Sequence, residues 1–227
     1  MLDRYVTRLI RPVVGSLARP LLRWGVTANR ITWAGFALGL FAATCVALQA
    51  WMAGLILLLL SRLCDALDGA VARLGPGSSA AGGFLDIALD FVFYALMVLG
   101  FAFAEPARNA LAAAVLITAF VGTGSSFLAF AALAAQCGLH NPQMPEKSFY
   151  FLGGLTEATE TLAVLCAMCL WPDYFALLAY GFAGLCFMTW VGRIATGLRL
   201  LNGVDQRQQM ALDQHQPAAG KGRDTGG

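Results

Sequence analysis

The stretch Asp65-Ala66-Leu67-Asp68-Gly69-Ala70-Val71-Ala72-Arg73 is followed after eight residues by Gly82, and then by Asp86 and Asp90 at intervals of four. Its surroundings are apolar enough to read as two membrane-spanning helices. Four carboxylates and the Arg73 guanidinium therefore stand where an ionised side chain costs about 2.5 kcal/mol or more. At about 100° per residue, Asp65, Asp68, Gly69, Ala72 and Arg73 share one arc of about 140°, and Gly82, Asp86 and Asp90 share another of about 80°. Two acidic stripes thus face each other across a short turn. Like charges packed this closely need a neutralising cation. All-oxygen carboxylate sites select hard ions such as Mg²⁺, Mn²⁺ or Ca²⁺, and two of them can clamp an in-line displacement at phosphorus. Gly69 and Gly82 leave room for a ligand against the backbone, and Arg73 offers a planar fork that matches a phosphate. The stretch predicts a phosphoanhydride site. A lone intramembrane Asp more often serves a helix–helix hydrogen bond, but four at fixed spacing with Arg73 do not fit that reading.

The rest of the composition agrees with a membrane setting. The 227 residues are 59% hydrophobic and 12% charged, with a mean hydropathy of +0.68, against about 25% charged in an ordinary soluble domain. No cleavable signal peptide is expected, because Arg4, Arg8, Arg11, Arg19, Arg23 and Arg30 interrupt any apolar run at the start. The net charge of +2 gives no reason to expect a nucleic-acid partner. Cys166 and Cys169 have a redox or metal spacing, yet they lie in an unbroken apolar run with no second pair, so core packing is expected and no disulfide framework is implied.

The predicted fold is all-α: a polytopic membrane protein with six transmembrane helices, preceded by an N-terminal interfacial amphipathic helix. Residues 1–24 form that helix, interrupted or kinked at Pro12 and Pro20. Tyr5, Leu9, Val13, Leu17 and Leu21 fall on one face, and Arg4, Arg8 and Arg11 on another. The membrane domain covers residues 25–201, with spans near 31–50, 52–74, 80–104, 108–136, 149–171 and 174–200. Residues 202–227, rich in Gln, Gly, Asp and Ala, are expected to be a disordered cytoplasmic tail. Arg and Lys gather at both termini and beside the turn after Arg73, whereas the opposite loops hold Arg108. Both termini and the turn joining the second and third spans are therefore placed on the cytoplasmic side. Asp68 and Asp86 each lie six residues from their helix ends, a depth of about 9 Å, so the two stripes meet at one level.

The pattern D-x2-D-G-x2-A-R-x8-G-x3-D-x3-D resembles the signature of the CDP-alcohol phosphatidyltransferase family, matched at all eight positions. The resemblance extends over residues 1 to about 201, above all to bacterial members without an assigned role. It implies a six-helix enzyme that uses two divalent metals, Mg²⁺ or Mn²⁺, to transfer a substituted phosphate from a CDP-linked donor to an alcohol, releasing CMP. On this reading Asp65, Asp68, Asp86 and Asp90 hold the metals, and Asp90 is also the general base. Gly69, Arg73 and Gly82 line the nucleotide and diphosphate, joined by Asn29, Thr32 and Ser79; Asn29 and Thr32 also suit the capping of the first span. The expected donor is CDP-diacylglycerol and the expected acceptor a small polar alcohol, in a cytoplasmic (inner) membrane, with a homodimer as the family's common state.

The acceptor side is less defined. Lys147 and Arg193 resemble the basic residues with which related enzymes take phosphorylated acceptors, although Arg193 also suits snorkelling to the interface. Glu157 and Glu160 stand at i and i+3 among hydroxyls. They suit a polyol, a cationic amino alcohol, or pairing with Arg193 across the bundle. Thr123-Gly124-Ser125-Ser126 reads as close helix packing, and His140 as a solvated loop residue. Two other functions use the same acids: a CDP-amino-alcohol phosphotransferase acting on diacylglycerol, and a divalent-cation transporter. Transport does not require Gly69, Arg73 and Gly82 at their positions.

Overall fold

In the computed structural model, described over residues 3–75, 79–137 and 156–215, the chain is all-helical, with seven α-helices and one short 3₁₀ turn among the described residues. In chain order the helices are α1 (Asp3–Arg23), α2 (Ala28–Ala47), α3 (Trp51–Leu74), α4 (Ala80–Ala104), α5 (Pro106–Gln136), α6 (Ala158–Leu170) and α7 (Phe175–His215). The 3₁₀ turn Pro172–Tyr174 lies before α7.

Among the described residues, four helical stretches are long and apolar enough to cross a bilayer: Ala28–Ala47, Ala80–Ala104, Pro106–Gln136 and Pro172–Val204. Six were expected. Helix α3, at 24 residues, has the length, but any 18-residue window of it contains Arg62, Asp65 and Asp68. Its charge is what sets it apart. Helix α6 is 13 residues long among the described residues, and the stretch ahead of it, 138–155, lies outside them.

The chain divides into two compact units, one of residues 1–125 and 153–190, the other of 126–152 and 191–227. The first carries the main core. Lipid tails are as apolar as leucine, so helices in a membrane associate through close packing rather than through exclusion of water. The residues that make α2 a close-packing helix are small: Gly35, Gly39, Ala42 and Ala43 are buried on one stripe with Ile31 and Val46. A Cβ on Gly39 would stand 2.4 Å from Cδ2 of Phe93, and one on Gly100 in α4 would stand 2.6 Å from the Ala43 carbonyl oxygen. These two contacts bring α2 and α4 together at the depth of the acids and again further along. Aromatic stacking fills the far end, where Phe101 lies between Trp51 and Phe175 with ring centroids 5.7 and 4.7 Å away. There Gln49, at φ 62°, turns the chain between α2 and α3, and its Nε2 donates to the Ala104 carbonyl at 2.9 Å, tying that turn to the end of α4.

Helix α1 packs on the same unit through Val14 and Ala18, which meet Ile31 of α2 and Ala70 and Val71 of α3. The sequence reading placed Val13 and Leu17 on the apolar face, but these two are 61% and 45% exposed. The bundle takes the neighbouring stripe, and Val13 and Leu17 are left for the outside, as suits a helix touching protein on one side and lipid on the other. Nor do Pro12 and Pro20 interrupt the helix. Both are exposed, so a carbonyl deprived of its amide partner by proline can turn outward.

In the second unit, the end of α5 meets the middle of α7. Phe130 lies 3.0 Å from a Cβ built on Gly197, and the Arg193 guanidinium stands 5.7 Å from the Phe127 ring centroid. Helix α7 continues to His215, past the boundary expected at residue 201, and residues 216–227 lie outside those described.

Candidate active site

Helix α3 ends at Leu74 and α4 begins at Ala80, the bounds expected for both sides of the short turn. Ser79 starts α4: its Oγ accepts from the Gly82 amide at 3.0 Å, an N-cap that satisfies one of the helix's free donors. A Cβ on Gly82 would stand 3.1 Å from both Ser79 Oγ and Asn29 Oδ1, so the glycine makes room for the cap and for Asn29 of α2. Gly69 has a different neighbour. Its Cβ would stand 3.1 Å from Nη1 of Arg73, one turn onward in the same helix. The exposed Arg73 guanidinium thus folds back over the glycine.

On the same two helices the acids converge. Asp65, Asp68 and Asp86 each offer a carboxylate oxygen, and the three atoms lie within 4.8 Å of one another. Octahedral Mg²⁺ or Mn²⁺ with bonds of about 2.1 Å spans roughly 4.2 Å between opposite ligands, so the three oxygens need only small adjustments to share one ion. The donor set is all oxygen, and it fits a hard divalent cation. Asp68 is also held from behind: the Thr32 hydroxyl donates to its Oδ2 at 2.6 Å and stands 3.1 Å from the Ala28 carbonyl. Support of this kind fixes the direction of a ligating carboxylate. The sequence reading took Thr32 as a nucleotide contact or a cap; its bond here goes to an acid of the cluster.

Asp90 stands one turn beyond Asp86, and its partner is Arg62. Nη1 of Arg62 donates to Asp90 Oδ1 at 2.6 Å and lies 3.8 Å from Asp65 Oδ1. The guanidinium carbon sits 4.1 Å from the centroid of the Phe93 ring and 5.5 Å from that of Tyr94. Nη2 reaches Ser61 Oγ at 3.3 Å, and Ser61 donates to the Gly35 carbonyl at 2.8 Å. The sequence reading missed Arg62. A signal for it was present, since a residue three before Asp65 falls about 60° from it, inside the same helical arc. Ser61, Arg62, Asp65, Asp68, Asp86 and Asp90 line a small, partly open cavity, bordered on the α2 side by Thr32, Gly35 and Phe36.

The residues proposed for the acceptor are placed differently. Glu157 and Glu160 form a capping box at the start of α6: the Glu157 carboxylate accepts from the backbone of residue 160, and Glu160 Oε2 accepts from the Glu157 amide at 3.3 Å. Arg193 is buried in the second unit beside Phe127. Lys147 lies outside the described residues. Cys166 and Cys169 are free thiols, and Cys169 is buried in the core.

Comparison with known proteins bears on the family and the fold. The family model for CDP-alcohol phosphatidyltransferase matches residues 25–196. The inner membrane protein YnjF of Escherichia coli K12 is 49% identical over 208 residues, covering 92% of this chain and 100% of that protein. The archaetidylinositol phosphate synthase of Pyrococcus horikoshii is 36% identical over 97 residues, covering 41% of this chain and 52% of the archaeal one. Among solved structures, the phosphatidylinositol phosphate synthase PgsA1 of Mycobacterium tuberculosis with CDP-DAG bound superposes with a TM-score of 0.67 at 22% identity, over 82% of this chain and 94% of that one. At that identity the likeness speaks for the fold, while the matched span of residues 25–196 and the end-to-end coverage of the bacterial relative speak for descent. The chain belongs to the CDP-alcohol phosphatidyltransferase family and is a membrane enzyme of that kind.

Proposed function

We propose that this enzyme transfers a phosphatidyl group from CDP-diacylglycerol to a small polar alcohol and releases CMP. The observation that carries this reading is the meeting of Asp65 and Asp68 from α3 with Asp86 from α4 in one cavity. Bound there, two divalent ions, Mg²⁺ or Mn²⁺, supply charge stabilisation to the diphosphate and to the departing CMP. Asp65, Asp68 and Asp86 hold them, and Asp90 completes the second set. Arg73 donates to the diphosphate, where the missing side chains of Gly69 and Gly82 let it lie against the backbone. Asn29 and Ser79 flank the nucleotide. Thr32 keeps Asp68 aimed at the cavity. Asp90 accepts the proton of the acceptor hydroxyl as the new bond to phosphorus forms.

The chain spans the membrane six times, with α3 and the segment containing α6 supplying two of the crossings, and works as a homodimer. The charge pattern puts both termini and the cavity mouth on the cytoplasmic side, and the relative in Escherichia coli is an inner membrane protein. A water-soluble nucleotide then enters from the cytosol while acyl chains stay in lipid. Glu157, Glu160, Lys147 and Arg193 are the candidates for acceptor contacts. The names of the archaeal and mycobacterial relatives put inositol phosphate first among acceptors to try.

The test is CMP release by purified protein in detergent, given CDP-diacylglycerol, Mg²⁺ and single acceptors in turn, with lipid products identified by mass. The expected result is one acceptor giving Mg²⁺-dependent CMP and the matching phospholipid. Folded protein that neither binds nor turns over CDP-diacylglycerol, yet passes divalent cations across liposomes, overturns the proposal in favour of transport.

A further inference from the structure

Arg62 and Asp90 form a cross-helix ion pair beside the three-carboxylate cluster, and neither the motif nor the proposed chemistry assigns Arg62 a task. Its side chain is 12% exposed, against 31% for Asp90 and 37% for Asp65, so the cation is the most buried member of the trio. It touches an acid from each helix, Asp90 at 2.6 Å and Asp65 at 3.8 Å. Its charge answers the same two acids that a second divalent ion would need. The guanidinium rests on Phe93, which Gly39 admits by lacking a side chain. Yet the arrangement leaves Arg62 short of one bond, because its buried Nε has no hydrogen-bond partner. A guanidinium has five donors to satisfy, and here one well-made contact, the bond to Asp90, holds its charged end.

We propose that Arg62 is a resident cation that competes with the second divalent ion for Asp90. The site then fills in order, first at Asp65, Asp68 and Asp86, and at Asp90 only when Arg62 gives that carboxylate up. The inference rests on the reading above that Asp90 joins the ion site. Arg62 acts through Asp90, as a positioning residue. Its pairing also keeps Asp90 compensated inside the membrane while the site is empty, which an unpaired carboxylate at that depth would not be.

The experiment is Mn²⁺ binding to the full-length protein in detergent, followed by calorimetry and by the spin-resonance signal of free Mn²⁺, without nucleotide. Wild type should take one ion tightly and a second at least about tenfold more weakly. Arg62→Gln should tighten the second ion by about tenfold and leave the first within about twofold, because it removes both a like charge and a competitor for the ligand. Arg62→Lys, which keeps the charge, should leave the second ion weak. Asp90→Asn should abolish the second ion and spare the first. The Tm of Arg62→Gln should fall in chelator and recover with Mn²⁺ by a larger increment than wild type gains. Two ions of equal affinity in wild type overturn the proposal with no variant needed, as does equal tightening by Arg62→Gln and Arg62→Lys, or no tightening by either. CMP release from the same preparation separates the failures: turnover with two equal ions sinks the role of Arg62 alone, whereas no ion and no turnover sinks the catalytic reading with it.

Discussion

Helices α3 and α4 are almost equal in length, 24 and 25 residues, and each brings two acids to the cavity. Their surroundings differ. Helix α3 carries Arg62 and Arg73 on the same arc as Asp65 and Asp68, so cations flank its acids above and below. Helix α4 carries Asp86 and Asp90 with no basic residue, and its hydropathy of 2.2 still reads as an ordinary span. Helix α3 thus carries as many basic as acidic residues on that arc, whereas α4 has no cation of its own and Asp90 takes its counter-charge from Arg62 of α3. An acid on an otherwise apolar helix is bearable in a membrane when the neighbouring helix brings the counter-charge.

The contrast can be broken most severely on the α4 side. Asp86→Asn removes the one α4 oxygen of the three-carboxylate cluster, and CMP release should fall by at least about 10³-fold, with Mn²⁺ binding lost in a titration of the folded variant. A smaller effect is expected from the support behind α3. Thr32→Val deletes the 2.6 Å bond to Asp68 while keeping the side chain's shape, and should cost about 10- to 100-fold in activity or ion affinity. Thr32→Ser should restore most of it, which kinetics at varied Mg²⁺ would read. Packing comes next. Gly39→Ala drives a Cβ to 2.4 Å from Phe93 and should lower stability by about 1–3 kcal/mol, measured by denaturant unfolding in mixed micelles, with activity falling as the ring under Arg62 shifts. The mildest is Ser79→Ala, which removes the α4 cap at about 1 kcal/mol. If it instead abolished nucleotide binding while leaving stability untouched, Ser79 would be a ligand contact rather than a cap.

Much of this contrast was legible in the chain. The bounds of α4 were read as 80–104 and are Ala80–Ala104, because a Gly-Pro-Gly-Ser-Ser stretch before it and Glu105-Pro106 after it bracket a run of small and apolar residues. The convergence of Asp65, Asp68 and Asp86 followed from helical spacing and a short connection. Less legible were contacts that depend on how one helix is rotated against another. Val14 and Ala18, rather than Val13 and Leu17, face the bundle, a rotation of about 100° that periodicity every four residues does not distinguish from its neighbour. Glu157 and Glu160 stood out as acids in an apolar setting, yet their reciprocal bonds cap α6. The S/T-type capping signature is weaker when a Glu holds the first position.

By itself the sequence determined the all-helical class, the bounds of the two acid-bearing helices, the oxygen-rich chemistry of the cluster and, through the eight-position motif, the family. These are properties of spacing along one chain, and the 1.5 Å rise and 100° turn of a helix convert spacing directly into geometry. The tertiary structure alone decided that Asp90 is paired with Arg62, that Thr32 serves Asp68, and that Gly39 exists to admit Phe93 beneath the guanidinium. Each of these joins residues from different helices, at least 28 positions apart for the two bonds. Such partners are set by the rotation and closeness of packed helices, which within-helix periodicity does not encode.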